Sequence, residues 1–139
     1  MKLQKVAIRR YRSIEEMDAF EVEPDVTCLV GKNESGKTAV LQALNKSHSH
    51  DGASFDEGLD YPTTRTSERR KAEGKMRVTT LTYLLDDGDV QSVEDWMGES
   101  ALSSRTITVT TLYDGSSTWA VGLDEEAVVR HLARDLDLP

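Results

Sequence analysis

The octapeptide Gly31-Lys32-Asn33-Glu34-Ser35-Gly36-Lys37-Thr38 has the spacing G-x-x-x-x-G-K-T, and those residue types in that order can hold a phosphate chain. Gly31 and Gly36 permit a backbone that turns its N–H groups inward onto phosphate oxygens, at the positive end of the helix that follows. Lys37 puts a point charge where β- and γ-phosphates would lie, and the Thr38 hydroxyl suits a Mg²⁺ ligand. The expected ligand is a nucleoside triphosphate with Mg²⁺. The bland alternative is a glycine loop that merely caps a structural helix.

Such a loop must be held between a strand and a helix. Val26 to Val30 is a short apolar, β-branched run ending at Gly31, which predicts a buried strand with Cys28 as a small core hydrophobe. Ala39 to Leu44 is rich in helix formers and sets Val40, Leu41 and Leu44 on one face. Upstream, Val6 and Ile8 alternate with polar residues in a strand over 3–10, and Phe20 and Val22 share one side of a second strand over 17–22. Downstream come a strand over 78–85, a turn at Asp86–Asp89 and a short helix over 90–97 with Asp89 as N-cap. Strands over 106–113 and 118–123 form a hairpin about Asp114-Gly115-Ser116. A last helix runs from Asp124, its N-cap, to Leu136, with Val128, Leu132 and Leu136 one turn apart. Residues 47–75 lack apolar periodicity and predict a long, mobile connection.

At 139 residues the chain can build one domain with a real core. No run approaches the roughly 20 apolar residues of a membrane span, and the N-terminus lacks a signal-peptide core. A cytoplasmic location with no membrane partner is therefore expected. The net charge of −8 argues against a broad nucleic-acid-coating surface. The basic stretch Arg65, Arg69, Arg70, Lys71, Lys75 and Arg77 leaves room for a limited phosphate contact. Cys28 has no partner for an internal disulfide, and His48 and His50 fit a solvated loop better than a metal site.

Val6-Ala7-Ile8-Arg9-Arg10-Tyr11-Arg12-Ser13-Ile14 resembles the I-x-x-F-R-S-I opening of ABC-type ATPase heads in the SMC, RecF and OLD (overcoming lysogenisation defect) families, with Tyr11 in place of the more usual Phe. Val26-Thr27-Cys28-Leu29-Val30 and the glycine loop after it look most like the OLD-type nucleases, as does Asp60-Tyr61-Pro62 before a basic stretch. The likeness is specific over residues 3–46 and loose over 55–123. It implies an α/β P-loop NTPase of ABC/SMC head type, an N-terminal lobe whose antiparallel β-subdomain surrounds the P-loop helix. The chain is then one partial ATPase head, with strands, P-loop and helix over 1–46, the connection over 47–75, and the β-subdomain and terminal helix over 76–139. The resemblance further implies ATP and Mg²⁺ as cofactors, with Arg12 and Ser13 beside the nucleotide. Its implied partners are a second ATPase head (a homodimer or the remaining half) and DNA in the complete protein.

Such a head also needs a Walker B strand ending in Asp-Glu and an LSGG-type signature, and OLD nucleases add a carboxylate-rich Toprim domain. Tyr83-Leu84-Leu85-Asp86-Asp87 mimics Walker B but reads equally as a strand-ending turn, so no catalytic residue is assigned. Two other functions stay open, a small self-sufficient P-loop kinase or NTPase and a non-catalytic interaction module with a relic loop. A GTPase would need N-K-x-D, and Asn45-Lys46-Ser47-His48 has His where the Asp must be.

Overall fold

A computed structural model of the chain describes residues 1–32, 35–48, 52–72 and 75–136. Six strands form one antiparallel sheet: β1 (Lys2–Tyr11), β2 (Ile14–Glu16), β3 (Phe20–Glu21), β4 (Arg77–Leu84), β5 (Leu102–Leu112) and β6 (Ser117–Leu123). The order is β2-β1-β4-β5-β6, with β3 on the same edge of β1 as β2. Among the described residues there are also five α-helices, α1 (Lys37–Ser47), α2 (Glu57–Asp60), α3 (Thr66–Ala72), α4 (Asp87–Met97) and α5 (Glu125–Asp135), and a short 3-10 helix at Thr63–Arg65. Among the described residues no helix is long and apolar enough to cross a membrane.

Period-2 patterning sorts the sheet into two faces. Val6, Leu81, Val109 and Trp119 lie opposite one another across β1, β4, β5 and β6 and so share a face. Helix α1 covers the Val6–Leu81 end of it, burying Ala39, Val40 and Ala43, and Ser47 Oγ meets Thr79 Oγ1 at 2.8 Å. At the far end Trp119 stays 65% exposed. Leu41 departs from the expected apolar stripe. It sits on the side of α1 turned from the sheet, because Val40 and Ala43 take the inner positions.

The stretch over 17–22 is not one strand. Arg9 faces Glu16 and Tyr11 faces Ile14, but Val6 faces Phe20, so the register slips by one residue between Met17 and Phe20. That bulge breaks the ladder into β2 and β3. Nor do residues 26–30 form a strand. No β-strand pairs with them among the described residues, and without a ladder partner Val26, Val30 and Cys28 lie exposed. The short helix over 90–97 begins earlier than expected. Asp86 rather than Asp89 is its N-cap, and Asp89 is the third helical residue of a reciprocal capping box. Helix α5 starts where Asp124 accepts from the Ala127 N–H at 3.1 Å. Gly98, at φ +100°, ends α4 where a Cβ would come within 2.6 Å of His131, so only glycine fits there.

Part of the expected connection over 47–75 is packed. Phe55 and Tyr61 are buried among Tyr11 and Tyr113, with the Tyr11 and Phe55 rings edge-on at 5.7 Å. Burying these rings offsets the entropy of ordering the segment, and four aromatics drawn from distant parts of the chain show no local period. His50, singled out with His48, lies outside the described residues. His48 is not simply solvated, since its Nε2 bonds Tyr83 Oη. The Tyr11 hydroxyl is buried with no hydrogen-bond partner among the described residues. Tyr11→Phe should therefore stabilise the fold by about 1 kcal/mol, seen as a higher Tm. A lower Tm would mean that the hydroxyl is satisfied in solution.

Candidate functional site

The β1–β2 hairpin turns on two residues, Arg12 and Ser13, between the Tyr11–Ile14 pair. Arg12 takes the left-handed conformation, φ 52°, which aims its side chain across the turn toward α1. Helix α1 begins beside this turn. A Cβ on Gly36, at φ +94°, would lie 3.2 Å from Ile14 Cγ1 and 3.5 Å from Ser13 Oγ. Glycine is needed here because the hairpin and the helix start nearly touch.

These elements wall a cavity of about 420 Å³, lined by Arg12, Ser13, Gly36, Lys37, Thr38, Ala39 and Gln42. A second cavity of about 300 Å³ lies across Ser13, Gly36 and Lys37, bordered by Glu15, Glu16, Val30 and Ser35. Among the described residues no side chain caps α1, and its first turn holds no acidic residue, which leaves its N–H groups beside the first cavity without a described counter-charge. Lys37 Nζ donates to the Gly31 carbonyl and, at 2.9 Å, to that of Lys32, which draws the loop closed. Ser35 N–H to Lys32 O, 3.2 Å, closes it further. Exposed Lys32 adds positive charge at its rim. Asn33 and Glu34 lie outside the described residues. The cationic Arg12 and Lys37, the Thr38 hydroxyl and the free helix N-terminus together fit a triphosphate with a divalent cation.

Asp60, given no site role from sequence although Asp60-Tyr61-Pro62 entered the family resemblance, ties this wall together. Fully buried, its carboxylate accepts from Arg12 Nε at 3.1 Å, from the Asp56 N–H at 3.0 Å and from Lys46 Nζ. Arg12 Nη1 also donates to Gln42 Oε1 at 2.5 Å. Gln42 and Lys46, four residues apart on α1, form a polar stripe, a local signal that could have marked this face. Burial pushes the Asp60 carboxyl up, but the bonds from Lys46, Asp56 and Arg12 outweigh it and hold the group below its ordinary 3.8. A depressed pKa adds stability that is complete above that ordinary value and is lost as pH falls through the folded one. Asp60→Asn should cost about 3 kcal/mol at neutral pH, by leaving two cations without their counter-ion. Thermal unfolding of both proteins from neutral pH into acid should show their Tm gap narrowing below 3.8. A gap independent of pH would contradict this.

The Walker B mimic sits elsewhere. Leu84 ends β4 opposite Lys2, the far end of β1 from Arg12, about 30 Å of strand away. There Asp86 caps α4 and binds the Met1 ammonium at 3.0 Å. Among the described residues no group of three or more His, Cys, Asp and Glu could hold a metal ion. In the basic stretch, Arg65 is taken up by Glu15 at 3.1 Å and Glu68 at 2.8 Å, leaving Arg70, Lys71, Lys75 and Arg77 exposed.

The sequence profile described as the AAA ATPase domain matches residues 1–117. The chain belongs to the AAA ATPase domain family. Among curated proteins no sequence matches this AAA ATPase domain. One solved structure, from a study of ATP-driven dimerization and DNA-stimulated activation of SMC ATPases, aligns over 100% of the domain and 81% of its own chain, at 12% identity and a TM-score of 0.47. That likeness is too slight to rest an argument on. The family assignment stands on the profile, whose span takes in β1, the glycine loop and the sheet through the start of β6.

Proposed function

We propose that this AAA ATPase domain binds Mg²⁺-ATP as the N-terminal part of an ABC/SMC-like head, in a DNA-processing or phage-defence protein of OLD type. One observation carries the reading. The hairpin turn bearing Arg12 and Ser13 and the start of α1 bearing Lys37 and Thr38 wall the same cavity, although about 25 residues separate them in sequence. Lys37 would exchange its loop carbonyls for phosphate oxygens, the α1 N–H groups would take further oxygens, and the Thr38 hydroxyl would ligate the cation. Bound Mg²⁺-ATP supplies the phosphoanhydride that a complete head cleaves.

A second ATPase head, or the remaining half of this one, fits the exposed flank. Val26 and Val30 before the loop and Leu41 on the outer side of α1 are more than half exposed. Apolar residues on consecutive segments beside a binding loop suit coverage by further polypeptide. Any DNA contact belongs to that larger assembly, since the exposed Arg70, Lys71, Lys75 and Arg77 could neutralise only a few phosphates. The antiparallel sheet speaks against a small P-loop kinase, whose strands would alternate with helices in parallel.

The direct test is calorimetric titration with ATP, with and without Mg²⁺. Binding should tighten with Mg²⁺ in the wild type and lose most of that dependence in Thr38→Val. Absence of binding at millimolar ATP would overturn the reading.

A further inference from the structure

Asp60 lies more than 20 residues beyond the glycine loop, yet it is the one fully buried carboxylate among the described residues. Two of its contacts meet on one residue, Arg12. The Arg12 N–H donates to the Asp60 carbonyl at 2.5 Å, and Arg12 Nε donates to the Asp60 carboxylate at 3.1 Å. Gln42 Oε1 accepts from Nη1, and the guanidinium carbon sits 5.5 Å from the Tyr11 ring centroid. An unrestrained arginine samples many rotamers; this one is fixed at its backbone, at Nε, at Nη1 and on one face. Among the described residues two of its five side-chain N–H donors are used. The other three, including both on Nη2, remain for the cavity that Arg12 shares with Lys37 and Thr38.

Lys46 explains why the cavity keeps its charge. A carboxylate paired only with Arg12 would cancel the guanidinium, whereas here one anion lies between two cations and the cluster stays net positive. Gln42, a neutral acceptor, orients Nη1 without adding an opposing charge.

We propose that Asp60 is a positioning residue for nucleotide: with Gln42 it presets the Arg12 guanidinium at the triphosphate cavity, and it acts on affinity through Arg12 alone. This rests on the reading that the cavity takes Mg²⁺-ATP. Affinity gained by pre-ordering a donor is lost once the donor is released, even if the donor itself remains.

The test is a double-mutant cycle read by Mg²⁺-ATP titration of wild type, Asp60→Asn, Arg12→Ala and the double variant, with Lys37→Ala alongside. Asp60→Asn should weaken binding about tenfold beside Arg12 and have no further effect in the Arg12→Ala background. Gln42→Leu, on the helix surface, should show the same dependence on Arg12 with a smaller loss, and it serves if Asp60→Asn does not fold. The same loss in both backgrounds, or no loss from either variant, would overturn the positioning role. If binding is sensitive to Lys37→Ala but indifferent to Asp60→Asn and Gln42→Leu, only this proposal fails. If wild type and Lys37→Ala bind alike, the ATP reading fails and carries this one with it.

Discussion

Lys37→Ala should weaken Mg²⁺-ATP binding about tenfold or more while leaving the fold intact. A hydrogen bond to a charged group contributes about 1.5–3 kcal/mol, and about 1.4 kcal/mol is a factor of ten in affinity. Before ligand arrives, Lys37 holds the carbonyls of Gly31 and Lys32 among the described residues, at an exposed loop where water can replace it. Its removal should therefore change thermal stability by no more than about 0.5 kcal/mol. The two measurements separate loss of a ligand contact from loss of structure. Identical titration curves for wild type and Lys37→Ala would remove the basis for nucleotide binding at this loop.

Turnover should behave differently from binding. Purified residues 1–139 are expected to bind ATP with very slow hydrolysis. Phosphoryl transfer needs an oriented water, an acid that positions the metal and donors facing the γ-phosphate. The 420 Å³ cavity offers cations and hydroxyls but no carboxylate among its described lining residues. Asp86 and Asp87 are committed at the other end of the sheet, to the α4 cap, the Met1 ammonium and Arg105. Each such electrostatic group commonly contributes about 10²–10³ in rate, and the described lining residues supply no metal-positioning acid. A phosphate-release assay decides it. Steady hydrolysis lost in Lys37→Ala would refute the expectation, and further loss in Asp86→Asn would restore the Tyr83–Asp87 stretch as catalytic.

Local signals reveal much of this fold. The alternation in β1, the Asp-Gly-Ser turn between β5 and β6 and the Asp124 cap each depend on neighbours a few residues away, so they can be read directly. What could not be read is non-local. Whether Val26–Val30 becomes a strand depends on a neighbour to share its ladder, which patterning does not report. The packing of Phe55, Asp60 and Tyr61 depends on Tyr11, Arg12, Lys46 and Tyr113, and polar composition disguised it as a loop. Even the capping box was local and legible, since Asp86 and Asp89 stand three apart, but a turn reading of the same acids competed with it.

The β1–β4 ladder has a consequence for how the chain emerges from the ribosome. Residues 2–8 pair with 79–84, a span of about 70–80 residues. At about 5–20 residues per second, β1 leaves the ribosome roughly 4–16 s before β4 is even made. As that interval passes, Val6 and Ile8 gain β2, β3 and then α1, and the Arg12 turn gains Gln42 and Asp60, but the edge of β1 that β4 will cover stays unpaired. The cavity residues 12–42 and Asp60 are all made before β4, so the long edge of β1 waits longer for its partner than the cavity does, and slow codons between 48 and 76 would lengthen the time that edge spends unpaired.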